Sequence, residues 1–252
     1  MRLRPYGARK STKLSNYTPM VSGWDKYDRQ ARVYPTILVL IPFFVLQYYY
    51  LNKEFADWSN FVTSLRTVAV FSIPVVLFYF INDRVQFLSK ILFESRIFKG
   101  GAYFPTTDFL LYSNDKYSAH HKKLIRDKIK TDFNIKMPSK LEEENDEQDA
   151  RRRIAEAVNF VRRKSGRGHF VLDKNINYGF SRNLVGGSLI GMALAVINVA
   201  VFYYLDFQKA PLAISSICLF IYFIIVLTSR ATITFFGNEY ASKLYDEYVS
   251  ST

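Results

Sequence analysis

The residues of this chain best suited to chemistry are cationic. The stretch Arg162-Arg163-Lys164-Ser165-Gly166-Arg167-Gly168-His169-Phe170 places four positive charges around two glycines. Guanidinium groups offer paired donors to a phosphate, and glycine lets backbone amides come close to an anion. Arg151, Arg152 and Arg153 lie just upstream, and Lys122, Lys123, Arg126, Lys128 and Lys130 form a further basic group. The candidate ligand-binding set is Arg151, Arg152, Arg153, Arg162, Arg163, Lys164 and Arg167. On residue type alone three outcomes are open: a nucleotide or oligonucleotide phosphate, anionic membrane lipid, or a solvated face with no partner.

Other chemistries find less support. His120 and His121 are adjacent, so on a helix they diverge by about 100° and cannot share a metal as an i, i+4 pair can. His169 stands alone. The chain has no phosphate-loop lysine motif, no dinucleotide glycine fingerprint and no nucleophile elbow. The acidic run Glu142, Glu143, Glu144, Asp146, Glu147 and Asp149 lacks the alternation of a calcium loop. Cys218, the single cysteine, excludes a disulfide framework and a thiol metal site. The expectation is a non-enzyme with no metal and no cofactor.

The elements that must position the basic groups are apolar. Four blocks interrupt a chain of 252 residues with 34 Lys and Arg against 22 Asp and Glu. They run from Tyr34 to Leu51, from Phe61 to Ile81, from Leu184 to Leu205 and from Leu212 to Ser229, and Arg66 is the one charge in any of them. A helix of about 20 apolar residues crosses a hydrocarbon core of about 30 Å. The expected fold is therefore an all-α membrane protein with four transmembrane helices as two hairpins and a mostly helical cytoplasmic domain between them. Its parts are a basic arm (1–33), hairpin 1 (34–81), the basic domain (82–183), hairpin 2 (184–229) and a tail (230–252).

Charge sets the orientation. The links Asn52–Asn60 and Asp206–Pro211 hold one lysine each, Lys53 and Lys209, whereas the arm holds eight Lys and Arg and the 82–183 segment holds 21. Positive charge stays inside, which puts both termini and the basic domain in the cytoplasm. Arg66 has the reach to snorkel to the outer interface. No Asp, Glu, Lys or His lies at mid-membrane, which speaks against an ion-coupled transporter.

Within the spans, Pro42 and Pro74 each remove a backbone hydrogen bond and predict kinks. Gly187, Gly191, Ala195 and Asn198 follow at spacings of four, four and three, a small and polar strip on one helix face. It suits close helix packing, and it equally suits a pore in which Asn198 meets water or another subunit.

Helix signals organise the basic domain. From Asp83 the second span runs on as a helix that Gly100-Gly101 ends. Ser118 caps a helix through about Phe133, Pro138 breaks the chain, and Ser139-Lys140-Leu141-Glu142 has the form of a capping box. Ile154, Ala157, Val158 and Val161 mark the apolar stripe of the helix carrying Arg151 to Lys164. Val171-Leu172-Asp173 reads as a short strand or an extended linker. In the tail, Tyr240, Leu244 and Tyr248 at helical spacing suit packing against the basic domain.

The segment Asn175 to Gly187 (NINYGFSRNLVGG) reads as an interfacial entry, with Tyr178 and Phe180 at headgroup depth and Arg182 on the phosphate side. This segment, with a basic helical domain inserted between two hairpins, resembles the membrane effectors of bacterial anti-phage systems encoded beside a nucleotidyltransferase, of the Hailong or cyclic-oligonucleotide type. The resemblance implies a homo-oligomeric ion channel of the bacterial inner membrane, gated on its cytoplasmic side by a nucleic-acid-like product of that nucleotidyltransferase. The rival from another class is a non-conducting scaffold or anchoring subunit that recruits a soluble partner.

Overall fold

The structure, a computed structural model, describes residues 25–51, 63–166, 168–204 and 209–251, with side chains in the second segment from 72 onward. The expectations for residues 1–23, the 52–60 link, Arg66 and Arg167 lie outside the described residues. Every regular element among those described is a helix. Two helices are long and apolar enough to cross a membrane, His169–Tyr204 and Lys209–Leu227, and a bent pair is a third if it counts as one span.

That pair is α1 (Asp28–Val39) and α2 (Ile41–Leu51), which meet at 44°. Pro42 has no N–H to give the Leu38 carbonyl, and the helix opens there. Tyr222 donates its hydroxyl to the freed Leu38 O at 2.6 Å, and Asn198 donates Nδ2 to Pro42 O, just past the break, at 2.6 Å. In an apolar surrounding such a repair matters, because no water can satisfy the freed groups.

Helix α3 (Thr63–Leu88) passes Pro74 and continues through a π-helical turn, Ser89–Glu94, into the short turn Ser95–Ile97. It ends where the glycines predicted, at Gly100 (φ 72°) and Gly101 (φ 96°). Behind it come α4 (Pro105–Asp108) and α5 (Ala119–Phe133), the latter capped by Ser118 Oγ on the His121 N–H. Next is α6 (Lys140–Asn145), with both bonds of the Ser139–Glu142 capping box formed. Then comes α7 (Glu147–Ser165), with Asp146 as its N-cap.

Helix α8 (His169–Tyr204) is the mast of the molecule, 36 residues without a break. It corrects two expectations. Val171-Leu172-Asp173 is neither strand nor linker but the first turn of this helix, with Val171 buried in the domain core. Nor is Asn175 to Gly187 an interfacial entry exposed to headgroups: Tyr178, Arg182 and Asn183 are buried against neighbouring helices. The helix persists because nothing in the segment breaks it; even Gly179 stays helical, its missing side chain making room for Tyr27 and Ala31 of the α1 region. The boundary drawn at 183/184 is thus a point along one helix.

Helix α9 (Lys209–Leu227) returns beside α8, and α10 (Ser229–Ser250) follows almost at once. The tail from 230 is accordingly a wall of the polar domain, as its helical spacing suggested. Leu244, Tyr245 and Tyr248 of α10 pack on Ile125 and Ile129 of α5 and on Ile154, Ala157, Val158 and Val161 of α7. Tyr245 is fully buried and donates its hydroxyl to the Thr106 carbonyl.

The small strip on α8 is packing. A side chain at Gly187 would meet Val39 at 2.6 Å, and one at Gly191 would meet the Tyr222 ring at 2.7 Å. Ala195 is fully buried, and Asn198 is bonded within the subunit to Pro42 and, at 3.3 Å, to Ser215 Oγ. Gly191 is what lets Tyr222 reach Leu38.

Candidate functional site

The predicted cationic residues do not converge. Successive residues on a helix turn by about 100°, so the triplets Arg151–Arg153 and Arg162–Lys164 fan around α7. Each member finds its own neighbours. Arg151 is buried, paired with Asp108 at 2.7 Å and Glu147 at 2.6 Å, and lies 3.9 Å over the Tyr103 ring. Arg152 is exposed and meets Asp149 at 3.2 Å. Arg153 meets Glu142 at 2.9 Å. Arg163 is exposed beside the ring of Phe160, and Lys164 pairs with Asp132 at 2.8 Å. Most of the charge is therefore answered inside the domain. These pairs depress the carboxylates: Glu142 is held at about 2 by the Ser139 N–H and then Arg153, and Asp132 is lowered by Lys164 and then Tyr248.

Arg162 and Arg163 have no carboxylate partner among the described residues, and of the two it is Arg162 that is drawn into the domain. It donates Nη2 to Thr106 Oγ1 at 2.8 Å, and its Nε is buried without a hydrogen-bond partner among the described residues. No carboxylate pairs with it there. Its guanidinium lies 5.2 Å over Phe104 and 6.0 Å from the Tyr240 ring. Eleven residues of α7 turn by about three full rotations and advance about 16 Å, so Arg151 and Arg162 share one face, with Ala155, Val158 and Asn159 between them.

That face forms one wall of a cavity of about 290 Å³. Across from it stand Tyr178 and Arg182 of α8, Tyr240 of α10, and Glu94 from the last residue of the π turn that extends α3. Phe104, Tyr178 and Tyr240 form an aromatic group: Phe104 meets Tyr178 edge-on at 5.5 Å, and Tyr178 stacks on Tyr240 at 6.4 Å. Asn159, Asn175 and Thr107 add neutral donors and acceptors. Burial pushes the Tyr240 hydroxyl above the usual phenol range, with the Arg162 charge opposing, which keeps it a neutral group.

Glu94 and Arg182 are the charged pair of this cavity. Arg182 Nη1 donates to Glu94 Oε2 at 2.7 Å, and Tyr178 donates its hydroxyl to the same oxygen at 2.9 Å. With Arg162 the site carries a net single positive charge. An aromatic ring and an anionic group are what such a lining can hold: rings stack on Phe104, Tyr178 or Tyr240, and the anion meets guanidinium donors. The volume suits one nucleotide-sized unit, at the small end of ligand pockets.

A larger cleft of about 710 Å³ adjoins it, sharing Gly101 and Ala155. It brings Lys99, Arg151 and Arg152 around Tyr103, with Lys99 Nζ 4.3 Å from the ring. The set named from sequence is thus divided: Arg162 faces the smaller cavity, Arg151 and Arg152 face the larger cleft, and Arg153 and Lys164 serve internal pairs. Glu94, Lys99, Asn159, Asn175, Tyr178, Arg182 and Tyr240 were not named as ligand contacts. For Glu94 and Arg182 the sequence offered only two charges among others, Glu94 between Lys90 and Arg96 and Arg182 after Asp173 and Lys174, with nothing to pair them.

Compared with protein families, with curated proteins and with solved structures, the chain finds no match.

Proposed function

We propose that this chain is the subunit of a homo-oligomeric ion channel of a bacterial inner membrane, gated from the cytoplasm by a nucleotide or a short oligonucleotide. In this reading α1–α2, α3, α8 and α9 are four spans arranged as two hairpins, and both termini are cytoplasmic. One observation carries the ligand-gated part: the Arg162 cavity is walled by the direct continuations of two apolar helices, Glu94 beyond α3 and Tyr178 with Arg182 on α8. A ligand bound there touches both elements at once, which is the arrangement a gate requires. The exposed Arg152 and Arg163 are then contacts for the phosphates of a longer ligand. The setting we infer, by likeness of architecture, is anti-phage defence, with the ligand made by a nucleotidyltransferase and channel opening or closing deciding the membrane potential.

The anchoring subunit is the second reading, and one observation favours it. Asn198 and the glycine strip of α8 are used up within the subunit, which leaves that face unavailable to a pore. Ion flux from liposomes containing the purified chain decides between them, measured with and without mononucleotides and short single-stranded oligonucleotides. Flux that a nucleotide changes, and that Arg162→Gln makes unresponsive, supports the channel. Absence of flux in every condition supports the anchor.

A further inference from the structure

We propose that Glu94 is a built-in competitor for the cavity's second arginine, so that an anionic ligand binds by taking Arg182 from it. The proposal rests on the cavity being the ligand site, and it adds how occupancy is converted into a change in the helices.

Three observations support it. Glu94 is the carboxylate among the residues lining the cavity, and a single oxygen of it accepts from both Arg182 and Tyr178. Arg182 and Glu94 are 10% and 25% exposed, so their attraction is screened less than at the surface while Glu94 still borders open space. Arg162, whose Nε has no hydrogen-bond partner and whose charge no carboxylate answers among the described residues, is the cation that draws an anion in. Once inside, a phosphate and the Glu94 carboxylate repel, and they contend for the same end of Arg182, since Nη1 is on Glu94 while Nε and Nη2 are turned to Asn183 Oδ1 at 3.4 Å.

The second half of the proposal concerns the π turn. Ser89 presses on α8 so closely that a side chain at Gly186 would lie 2.6 Å from the Ser89 backbone. Glu94, five residues later, also faces α8. In an α-helix five residues rotate by about 500°, which would leave the two on sides about 140° apart. The i→i+5 bonding of a π turn brings them back to one side. π-helical stretches also occur at Asp28–Val33 and Gln47–Leu51, but at Ser89–Glu94 the winding is what lets the ion pair reach α8. When the ligand displaces Glu94, Ser89–Gly186 remains as a fixed pivot, and the turn beyond it is free to rewind as α-helix. That rotates everything cytoplasmic to Ser89 relative to the rest of α3.

The experiment measures binding of adenosine 5′-monophosphate to the full chain in detergent, with adenosine as the uncharged control. Glu94→Gln keeps an acceptor for Tyr178 but removes the competing charge; it is expected to bind the monophosphate about tenfold more tightly, with adenosine unchanged. Glu94→Asp keeps the charge and shortens the reach, and is expected to give a smaller gain; it serves if the glutamine variant fails to fold. Arg162→Gln, which leaves the Glu94–Arg182 pair intact, is expected to weaken the monophosphate by at least about tenfold. If Arg162→Gln weakens it while neither Glu94 variant tightens it, the cavity stands and the competition is overturned. If no variant differs from the parent, or none binds the probe, the cavity itself is overturned as a nucleotide site and the competition falls with it.

Discussion

The two halves of α8 are held by opposite means. Above about residue 185 the helix is gripped by small residues and neutral hydrogen bonds: Gly186 on Ser89, Gly187 on Val39, Gly191 on Tyr222, Asn198 on Pro42. Below it the contacts are charged and aromatic: Arg182 on Glu94, Lys174 on Glu239, Asp173 on Lys26, and Tyr178 beside Phe104 and Tyr240 around the cavity. The upper contacts have no slack, because a close approach of backbones has no alternative arrangement. The lower contacts can exchange partners, since a charge bound to one counter-charge can be bound to another. A long apolar helix with a rigid joint and an exchangeable foot is built as the proposed gate would need it, and each end can be broken separately.

The largest effect is expected at the joint. Gly186→Val puts a branched side chain against backbone that cannot rotate away, and the expected result is loss of a monodisperse folded protein in detergent, read by size exclusion and thermal unfolding. Gly191→Ala is milder, because the Tyr222 ring can shift, although Tyr222 then loses its reach to Leu38. If Gly186→Val unfolds at the parent's temperature, Ser89 is not the pivot.

Next come the arginines of α7, which look equivalent in sequence and are not. Arg151→Met leaves Asp108 without its buried partner, and a destabilisation of about 2 kcal/mol is expected, discounted because Asp108 is partly exposed. Arg162→Met removes a charge that no carboxylate needs, and is expected to leave stability within about 0.5 kcal/mol or to raise it. Denaturant unfolding of the two variants side by side tests the contrast. Equal losses would mean that Arg162 is structural too, and would empty the cavity of its receptor.

A smaller loss is expected at the α1–α2 break. Tyr222→Phe orphans the Leu38 carbonyl that Pro42 cannot serve, at about 1–2 kcal/mol, and Asn198→Leu removes the bonds to Pro42 O and Ser215 Oγ, at about 1 kcal/mol. Asn198→Leu also bears on the function: if it abolishes flux without lowering stability, Asn198 serves a pore in the oligomer rather than the packing seen within one subunit.

What was legible in the sequence follows this same division. Local devices could be read from a few adjacent residues: the Ser118 cap, the Ser139–Glu142 box, the glycine stop at Gly100-Gly101 and the apolar stripe of α7. The fan of the arginine triplets was also readable, by the 100° rule already applied to His120 and His121. So were the local partners Glu147 of Arg151 and Asp149 of Arg152, at helical spacing, but the distant ones were not. Asp108 lies 43 residues from Arg151, Thr106 lies 56 from Arg162, and Glu94 lies 88 from Arg182. No periodicity announces pairings at such separations. The π turn was hidden as well, since Ser89–Glu94 has no glycine or proline to mark it. The result is that charge was visible but its employment was not.

The smallest effect is expected from a surface carboxylate of the polar domain, and its sign is fixed. Glu142 is held at about 2 in the folded chain against an ordinary value of 4.5, by the Ser139 N–H and then Arg153. A folded value below the unfolded one means that the contribution is complete above about pH 4.5 and is lost as pH falls through about 2. The group lies at the surface beside its own helix start, so what is lost is the capping of α6 rather than the domain. Amide chemical shifts of Ser139 and Glu142 should therefore titrate together with a midpoint near 2 while the α7 and α10 core signals stay in place. Arg153→Gln should move that midpoint upward, since it removes one of the two groups that hold the proton off. A midpoint near 4.5 in the parent would mean that the box is open in solution. Arg153 would then join Arg162 as an available cation, and the contrast between paired and unpaired arginines on α7 would have to be redrawn.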